Sequence, residues 1–538
     1  METERMSATE FSRRAFLRGA GVLGLGVLGQ RVSVGIVPAV QQASEPPRHA
    51  HILVDPQQRL GAIDRNIYGN FIEHLGRCVY GGVFDEGSRL ADSDGLRKDV
   101  LAAVQGLGVT QLRWPGGNFS SDYHWMDGIG PRDQRPARYD LAWFERESNH
   151  YGTDEFMVTC RKLGAEPYLC VNTSTGTLDE AARWVEYCNH SGGTYISDLR
   201  KKYGHPEPYR VKYWGLGNEM WGDWQIGHKD AADYAKVAVE FAKVMKWEDP
   251  SIKLIACGNG DPKWDQPVLA ALAPHVDYIS AHHYSNVEEL KDYYEILGSI
   301  AGMEVLIRDS AATAAKASLD ARRAVPIWTA LDEWNLVYGW SDGGKRDDPH
   351  KFEIPFNLRD ALWVAAALNC IQRHCQTVRM ANLAQLVNVA APIYTTPTGL
   401  VLRTIYYPLA LYAQRSGPVA LDVTVDSPRF ATRGFGDRPY LDVSATYDEA
   451  RHKLSLAVVN LRKEGEVVAE VELNGLRAQP GGRAFLITGD NPDVQNTIDT
   501  PRAVSTKEVK LELAGSRFEY RFPRHSVTWL EFSTTEHS

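Results

Sequence analysis

Along residues 63–395, short apolar runs alternate with longer segments whose apolar positions recur every three or four residues. The first pattern marks strands and the second amphipathic helices. Strands are predicted at 67–73, 110–114, 167–172, 211–216, 253–257, 276–282, 327–332 and 377–383. Helices are predicted between them at 96–107, 154–163, 179–188, 231–247, 266–272, 287–297 and 359–373. Thr153 and Thr177 precede acidic residues, as helix N-caps do, and Gly108, Gly164 and Gly298 stand where C-caps are expected. The strands are continuously apolar, the pattern of a parallel sheet covered on both faces. Eight of them separated by helices predict an α/β fold, a (β/α)8 TIM barrel spanning 63–395. The rival, an open doubly wound sheet, lacks the glycine-rich phosphate turn expected after its first strand.

From 396 the rhythm changes. Segments at 440–447, 454–460, 467–473, 484–488, 509–513, 518–522 and 527–532 are short and mostly alternate in polarity. Asn474-Gly475 and Pro480-Gly481-Gly482 punctuate them. This predicts an antiparallel β-sandwich over 396–538. A lone strand at 51–60, within the connecting segment 44–62, is expected to pair with that sandwich across sequence. A chain of 538 residues is too long for one small core, which agrees with two domains.

Charge and the N-terminus narrow the class. A net charge of -9 argues against nucleic acid, whose phosphates need clustered Lys and Arg. Phe11-Ser12-Arg13-Arg14-Ala15-Phe16-Leu17, followed by a glycine-rich, mildly apolar run, has the order of a twin-arginine export signal over 1–43. Gln30 and Arg31 interrupt the run, so it falls short of the roughly 20 apolar residues of a membrane span. The expectation is a periplasmic or secreted protein with no membrane association once the signal is removed. The seven cysteines are an odd number with no Cys-x-x-Cys pair, and are read as buried thiols.

Candidate chemistry follows from what ends each barrel strand, because sites on this fold lie at the C-terminal strand ends. In order these ends carry Glu73-His74, Gly116-Gly117-Asn118, Asn172, Asn218-Glu219, Asn259, His282-His283-Tyr284, Asp332-Glu333 and Asn382 with Gln385. All eight strands bring hydrogen-bonding groups to one face, a set suited to a polyhydroxylated substrate. Glu219 and Glu333 end strands four and seven, across the mouth from each other. Glycosidic bond cleavage needs such a pair: one carboxylic acid protonates the leaving oxygen while the second carboxylate attacks or activates water. Asn218 is placed to bond a sugar 2-hydroxyl. Asp332 competes with Glu333, since strand alternation turns only one of two neighbours inward. Adjacent His282 and His283 point to opposite faces, so no metal and no cofactor are expected, and one of them is expected to bond a catalytic carboxylate. No Gly-x-Ser-x-Gly or Ser-His-Asp constellation supports esterase chemistry.

The chain resembles glycoside hydrolase family 51, the α-L-arabinofuranosidases. The resemblance rests on Gly69-Asn70-Phe71-Ile72-Glu73-His74-Leu75-Gly76-Arg77, Arg113-Trp114-Pro115-Gly116-Gly117-Asn118-Phe119, Gly215-Leu216-Gly217-Asn218-Glu219-Met220, Asp332-Glu333-Trp334-Asn335 and Asn382-Leu383-Ala384-Gln385-Leu386-Val387-Asn388. It implies a barrel with a jelly-roll-like sandwich, a homo-oligomer that is often a hexamer, and retention through a covalent arabinosyl-enzyme. It implies that Glu219 is the acid/base and Glu333 the nucleophile. Glu73, Asn118, Asn218, Tyr284 and Gln385 would hold the furanose hydroxyls, and Trp143 would cover the sugar from a lid loop. The family often has Trp four residues after the nucleophile; here that place is Val337, with Tyr338 or Trp340 as substitutes for the lost surface. The expected activity is exo-hydrolysis of terminal α-L-arabinofuranosyl residues from arabinose-containing plant glycans, as in arabinan degradation. The rivals are another retaining barrel glycosidase, such as a β-xylosidase or endo-β-1,4-glucanase, and a catalytically silent glycan-binding protein.

Overall fold

The computed structural model describes residues 48–339, 348 and 350–536. The twin-arginine signal expected at 1–43 and Trp340 lie outside the described residues. The first strand, β1 (Arg48–Ala62), is followed by eight barrel strands. These are β2 (Gly69–Phe71), β3 (Gln111–Trp114), β4 (Glu166–Val171), β5 (Tyr213–Leu216), β6 (Lys253–Ala256), β7 (Tyr278–Asn286), β8 (Trp328–Val337) and β9 (Val378–Ala384). They pair in parallel and in sequence order, and β9 closes on β2. The eight strands of the sequence pattern are these eight, and they form a TIM barrel.

The helices form for identifiable local reasons. Thr177 accepts the Glu180 amide N–H and caps the helix Leu178–Asn189. Gly108 and Gly164 end theirs at φ 81° and 68°, a left-handed conformation that costs glycine little. Thr153 is not a cap. Gly152 takes that place, and the Glu155 carboxylate returns to its N–H at 2.9 Å. Gly298 is the last helical residue of Tyr293–Gly298, with Ser299 behind it. The helix expected at 287–297 is broken into Val287–Leu290 and Tyr293–Gly298, then continues as the long helix Ile300–Asp320. That helix escaped the pattern because Ser310, Thr313 and Ser318 stand on its buried face among Met303, Ile307 and Ala314. Ser318 Oγ donates to the Ala314 carbonyl at 2.7 Å within the helix, and Ser310 Oγ lies 3.2 Å from Thr329 Oγ1 on β8.

Inside the barrel, Tyr168, Tyr213, Ile255, Tyr278, Ala330 and Met380 form a closed plug, each from a different strand. The continuous apolar core lies outside the strands and under the helices, where Trp114, Trp184 and Trp214 pack edge to face. The helix after the eighth strand is Tyr406–Arg415. It is tied to the barrel helices by Tyr406 Oη to the Ala103 carbonyl (2.8 Å) and Tyr412 Oη to Asn369 Oδ1 (2.6 Å).

The C-terminal domain is a ten-stranded, mostly antiparallel sheet. β1 lies inside it, antiparallel to Val419–Asp426 on one side and parallel to Val467–Leu473 on the other. Phe518 and Phe532 stand far apart in the pairing order, yet their rings meet at 5.8 Å, so the sheet folds over on itself as a sandwich. Val419–Asp426 and Leu476–Ala478 are strands beyond those the alternation marked. All seven cysteines are buried free thiols. Among the described residues no helix is long and apolar enough to cross a membrane.

Candidate active site

The site forms at the C-terminal mouth of the barrel, directly above the plug. Two glycines shape its entrances. Gly217 (φ 82°) turns the chain out of β5, where a Cβ would lie 2.1 Å from Thr173 Oγ1. A Cβ on Gly117 would sit 2.6 Å from a Glu73 carboxylate oxygen. After the first of these turns Glu219 is itself held at φ 44°, an uncommon conformation for a side-chain-bearing residue.

Glu219 and Glu333 meet across the mouth. One carboxylate oxygen of each, together with His282 Nδ1, forms a trio whose atoms all lie within 4.8 Å of one another. The environments of the two acids differ. Glu333 is buried and accepts Arg113 Nη1 at 2.6 Å and Tyr284 Oη at 2.7 Å. Burial alone would push its pKa up, but His282, the Arg113 guanidinium and Tyr284 together hold it below the ordinary 4.5. Glu219 is less buried and accepts Trp224 Nε1 at 2.7 Å, with His282 Nδ1 at 3.1 Å. His282 Nδ1 also lies 3.6 Å from Glu333. Its imidazole pays a burial penalty on its charge, yet the two carboxylates raise its pKa above 6.5.

Asp332 and Glu333 are not separated by alternation as expected. The pairing of β8 with β7 skips a residue between Ala330/Ser280 and Glu333/His282, so β8 carries a bulge at this point. Both carboxylates consequently face Arg113, at 4.0 Å from Asp332 and 2.6 Å from Glu333. Asp332 points down to the plug and accepts Tyr168 Oη at 2.7 Å; burial raises its pKa, against the pull of Arg113. Glu333 points up to the mouth.

The remaining expected residues gather around this pair. Arg113 Nη2 donates to Asn218 Oδ1 at 2.6 Å, which leaves the Asn218 amide N–H groups free to donate. Asn118 Oδ1 lies 3.5 Å from Asn218 Nδ2. Glu73 accepts three N–H groups: the Phe119 amide (2.9 Å), Trp143 Nε1 (3.0 Å) and Gln385 Nε2 (3.0 Å). Burial nevertheless pushes the Glu73 pKa up to about 8. These contacts bring Glu73, Asn118, Trp143, Asn218, Tyr284 and Gln385 together around Glu219 and Glu333.

Two residues had no assigned part in the sequence. Arg113 joins Glu333 to Asn218, and a charged residue inside a buried apolar strand was the available signal. Trp224 carried no signal beyond its nearness to Glu219. His282 bonds Glu219, one of the two facing acids, as expected of one of the paired histidines, whereas half-buried His283 stacks near Trp363 at 6.4 Å. Val337 is buried within β8, and Tyr338 Oη is committed to Asp360 at 2.7 Å. Among the described residues, the Glu219–His282–Glu333 trio is the one place at the mouth with donors spaced for a metal ion. Its histidine already spans the two acids at hydrogen-bonding range, and Arg113 supplies fixed positive charge to Glu333.

A TIM barrel with two carboxylates facing each other above its plug, among amides and aromatic rings, defines a glycoside hydrolase. Family models agree: that of the alpha-L-arabinofuranosidase 1 domain matches residues 103–300, and that of the alpha-L-arabinofuranosidase C-terminal domain matches 332–526. The chain is 40% identical over 506 residues to alpha-L-arabinofuranosidase C of Emericella nidulans, covering 89% of this chain and 97% of that one. It is 40% identical to the intracellular exo-alpha-(1->5)-L-arabinofuranosidase 1 of Bacillus subtilis, covering 80% and 88%. The solved structure of the Thermotoga maritima alpha-L-arabinofuranosidase in complex with arabinose superposes with a TM-score of 0.83 at 41% identity, covering 91% and 100%. The chain belongs to glycoside hydrolase family 51, the α-L-arabinofuranosidases.

Proposed function

We propose that this enzyme removes terminal α-L-arabinofuranosyl residues from arabinose-containing plant glycans by double displacement. The observation that carries the reading is the asymmetry of the facing pair. Glu333 is buried, held by Arg113 and Tyr284, and kept ionised, as a nucleophile must be. Glu219 is more open to solvent, where an aglycone leaves and water enters. Oxygens within 4.8 Å suit direct attack on the anomeric carbon. An inverting pair would stand roughly 6.5–9.5 Å apart to admit a water.

In the first step Glu333 attacks the anomeric carbon and Glu219 gives its proton to the departing glycosidic oxygen. In the second, Glu219 takes a proton from water, which displaces Glu333 with net retention. Asn218, oriented by Arg113, donates to the 2-hydroxyl. Glu73 and Gln385 hold further hydroxyls, and Trp143 covers the ring. His282 shares its proton between the two acids and keeps their charges compatible as the proton on Glu219 moves. The Arg13-Arg14 leader supports export by the twin-arginine route to the periplasm or the medium.

The test is release of arabinose from an aryl α-L-arabinofuranoside, compared with the β-xyloside, with the first-formed anomer read by NMR. Retained α-arabinose and a strong preference over xyloside are expected. Binding of arabinan without release of sugar, or an inverted product, would overturn the reading.

A further inference from the structure

Lys351 is buried, yet no step above uses it. It lies in the connection between β8, the strand of Glu333, and the helix Leu358–Arg373. Its ammonium reaches a different loop, the one that follows β3. There Lys351 Nζ donates to the backbone carbonyl of Trp143 at 3.1 Å and pairs with Glu145 at 2.6 Å. The Trp143 ring meets Phe352, next to Lys351, edge to face at 6.1 Å.

The other side of the same segment is equally fixed. The buried Asp140 carboxylate accepts the Ala142 and Trp143 amides at 2.9 and 2.7 Å. Buried Glu147 accepts His74 Nδ1 at 2.7 Å, while His74 Nε2 accepts Trp114 Nε1 at 3.0 Å. Residues 140–147 are therefore tied within themselves by Asp140 and to the end of the first barrel strand through Glu147 and His74. The tip, which carries Trp143, is held by Asp140 from within the loop and by Lys351 and Phe352 from the other loop. From that tip the indole N–H reaches Glu73.

We infer that Lys351 is a cross-loop latch, a positioning residue that sets Trp143 over the sugar subsite and couples the lid to the loop behind the nucleophile strand. This rests on the proposed placement of Glu73 and Trp143 around the terminal sugar. A lysine suits the task because its single charged head can serve a carbonyl and a carboxylate at once from a buried stem. Loss of the head leaves the Trp143 carbonyl and Glu145 without that partner. Trp143 would then sample positions from which its indole no longer meets Glu73.

The test is a cycle of K351M, W143A and the double variant, with K351R as rescue, on an aryl α-L-arabinofuranoside. A charge-assisted hydrogen bond of this kind predicts that K351M lowers kcat/KM about 10- to 100-fold, chiefly through KM. On the W143A background K351M should cost no more than about twofold, because its effect passes through that ring. K351R should recover part of KM. Hydrogen exchange of the 141–146 amides should accelerate in K351M while amides of the barrel strands keep their protection. Unchanged lid exchange in a folded K351M protein would overturn the latch without any substrate. So would equal losses from K351M with and without Trp143. A wild-type enzyme inactive on arabinofuranosides would instead overturn the proposed activity, and the exchange measurement would still decide the latch.

Discussion

Glu219→Ala tests the division of labour between the two acids most directly. Removing the side chain deletes the partner of Trp224 Nε1 and one of two carboxylates near His282, but leaves Glu333 with Arg113 and Tyr284. The nucleophile therefore stays ionised and aimed, and only proton transfer is lost. General acid catalysis contributes about 10²–10⁴ in rate, or roughly 3–5 kcal/mol at 1.36 kcal/mol per decade. That whole factor should appear in kcat/KM for a poorly departing alkoxide such as a sugar. It should nearly vanish for a dinitrophenyl leaving group, which departs without a proton. With the good leaving group the second step becomes slow, because Glu219 is also the base that activates water. A burst of phenol followed by a slow steady state is expected, and azide should accelerate that phase and yield the α-glycosyl azide. Equal losses on both substrates, with no burst and no azide product, would refute the acid/base assignment.

Two further outcomes follow from the same charges. Arg113→Met strips Glu333 and Asn218 of their 2.6 Å partner and leaves two buried carboxylates without their guanidinium, so unfolding by denaturant should show a loss of about 3–5 kcal/mol, and the acid limb of kcat/KM should move to higher pH. The pair also sets a pH window for stability. Glu333, lowered below 4.5 in the fold, contributes stability above pH 4.5 that is lost as pH falls through its folded value; His282, raised above 6.5, contributes below pH 6.5 what is lost as pH rises through its folded value. Denaturant unfolding of wild type and His282→Gln across pH 4–8 should show the difference between them greatest between 4.5 and 6.5; a difference flat in pH would show that the histidine is uncharged.

The barrel was legible because its strands are buried on both faces and so lack the alternation that marks the second domain. The site was legible for a related reason: polar residues at the ends of apolar strands had no packing role to explain them. What stayed hidden was set by non-local geometry. The β8 bulge turns Asp332 and Glu333 toward one arginine, and no pattern within the strand announces an extra residue in its pairing. Arg113 could be read as a motif position but not as a tie between Glu333 and Asn218, because that needs three non-adjacent strands converging across the closed barrel. The helix Ile300–Asp320 was hidden by hydroxyl-bearing residues on its buried face, paired within the helix or against β8. Nothing in the sequence pattern singles out Lys351, because its partner, the Trp143 carbonyl, lies on a different loop.

The position of β1 bears on how the molecule is made. Its neighbours on either side, Val419–Asp426 and Val467–Leu473, are synthesised several hundred residues later, so β1 waits for its place through the whole of barrel synthesis. Such long-range pairing is slow and leaves an unpaired edge open to mispairing in the meantime. The C-terminal sheet expressed alone would lack an interior member and part into a seven-stranded and a two-stranded piece with raw borders. A fragment beginning after residue 62 therefore loses more than its tail: it loses the seam that joins the last two strands to the rest of the sheet.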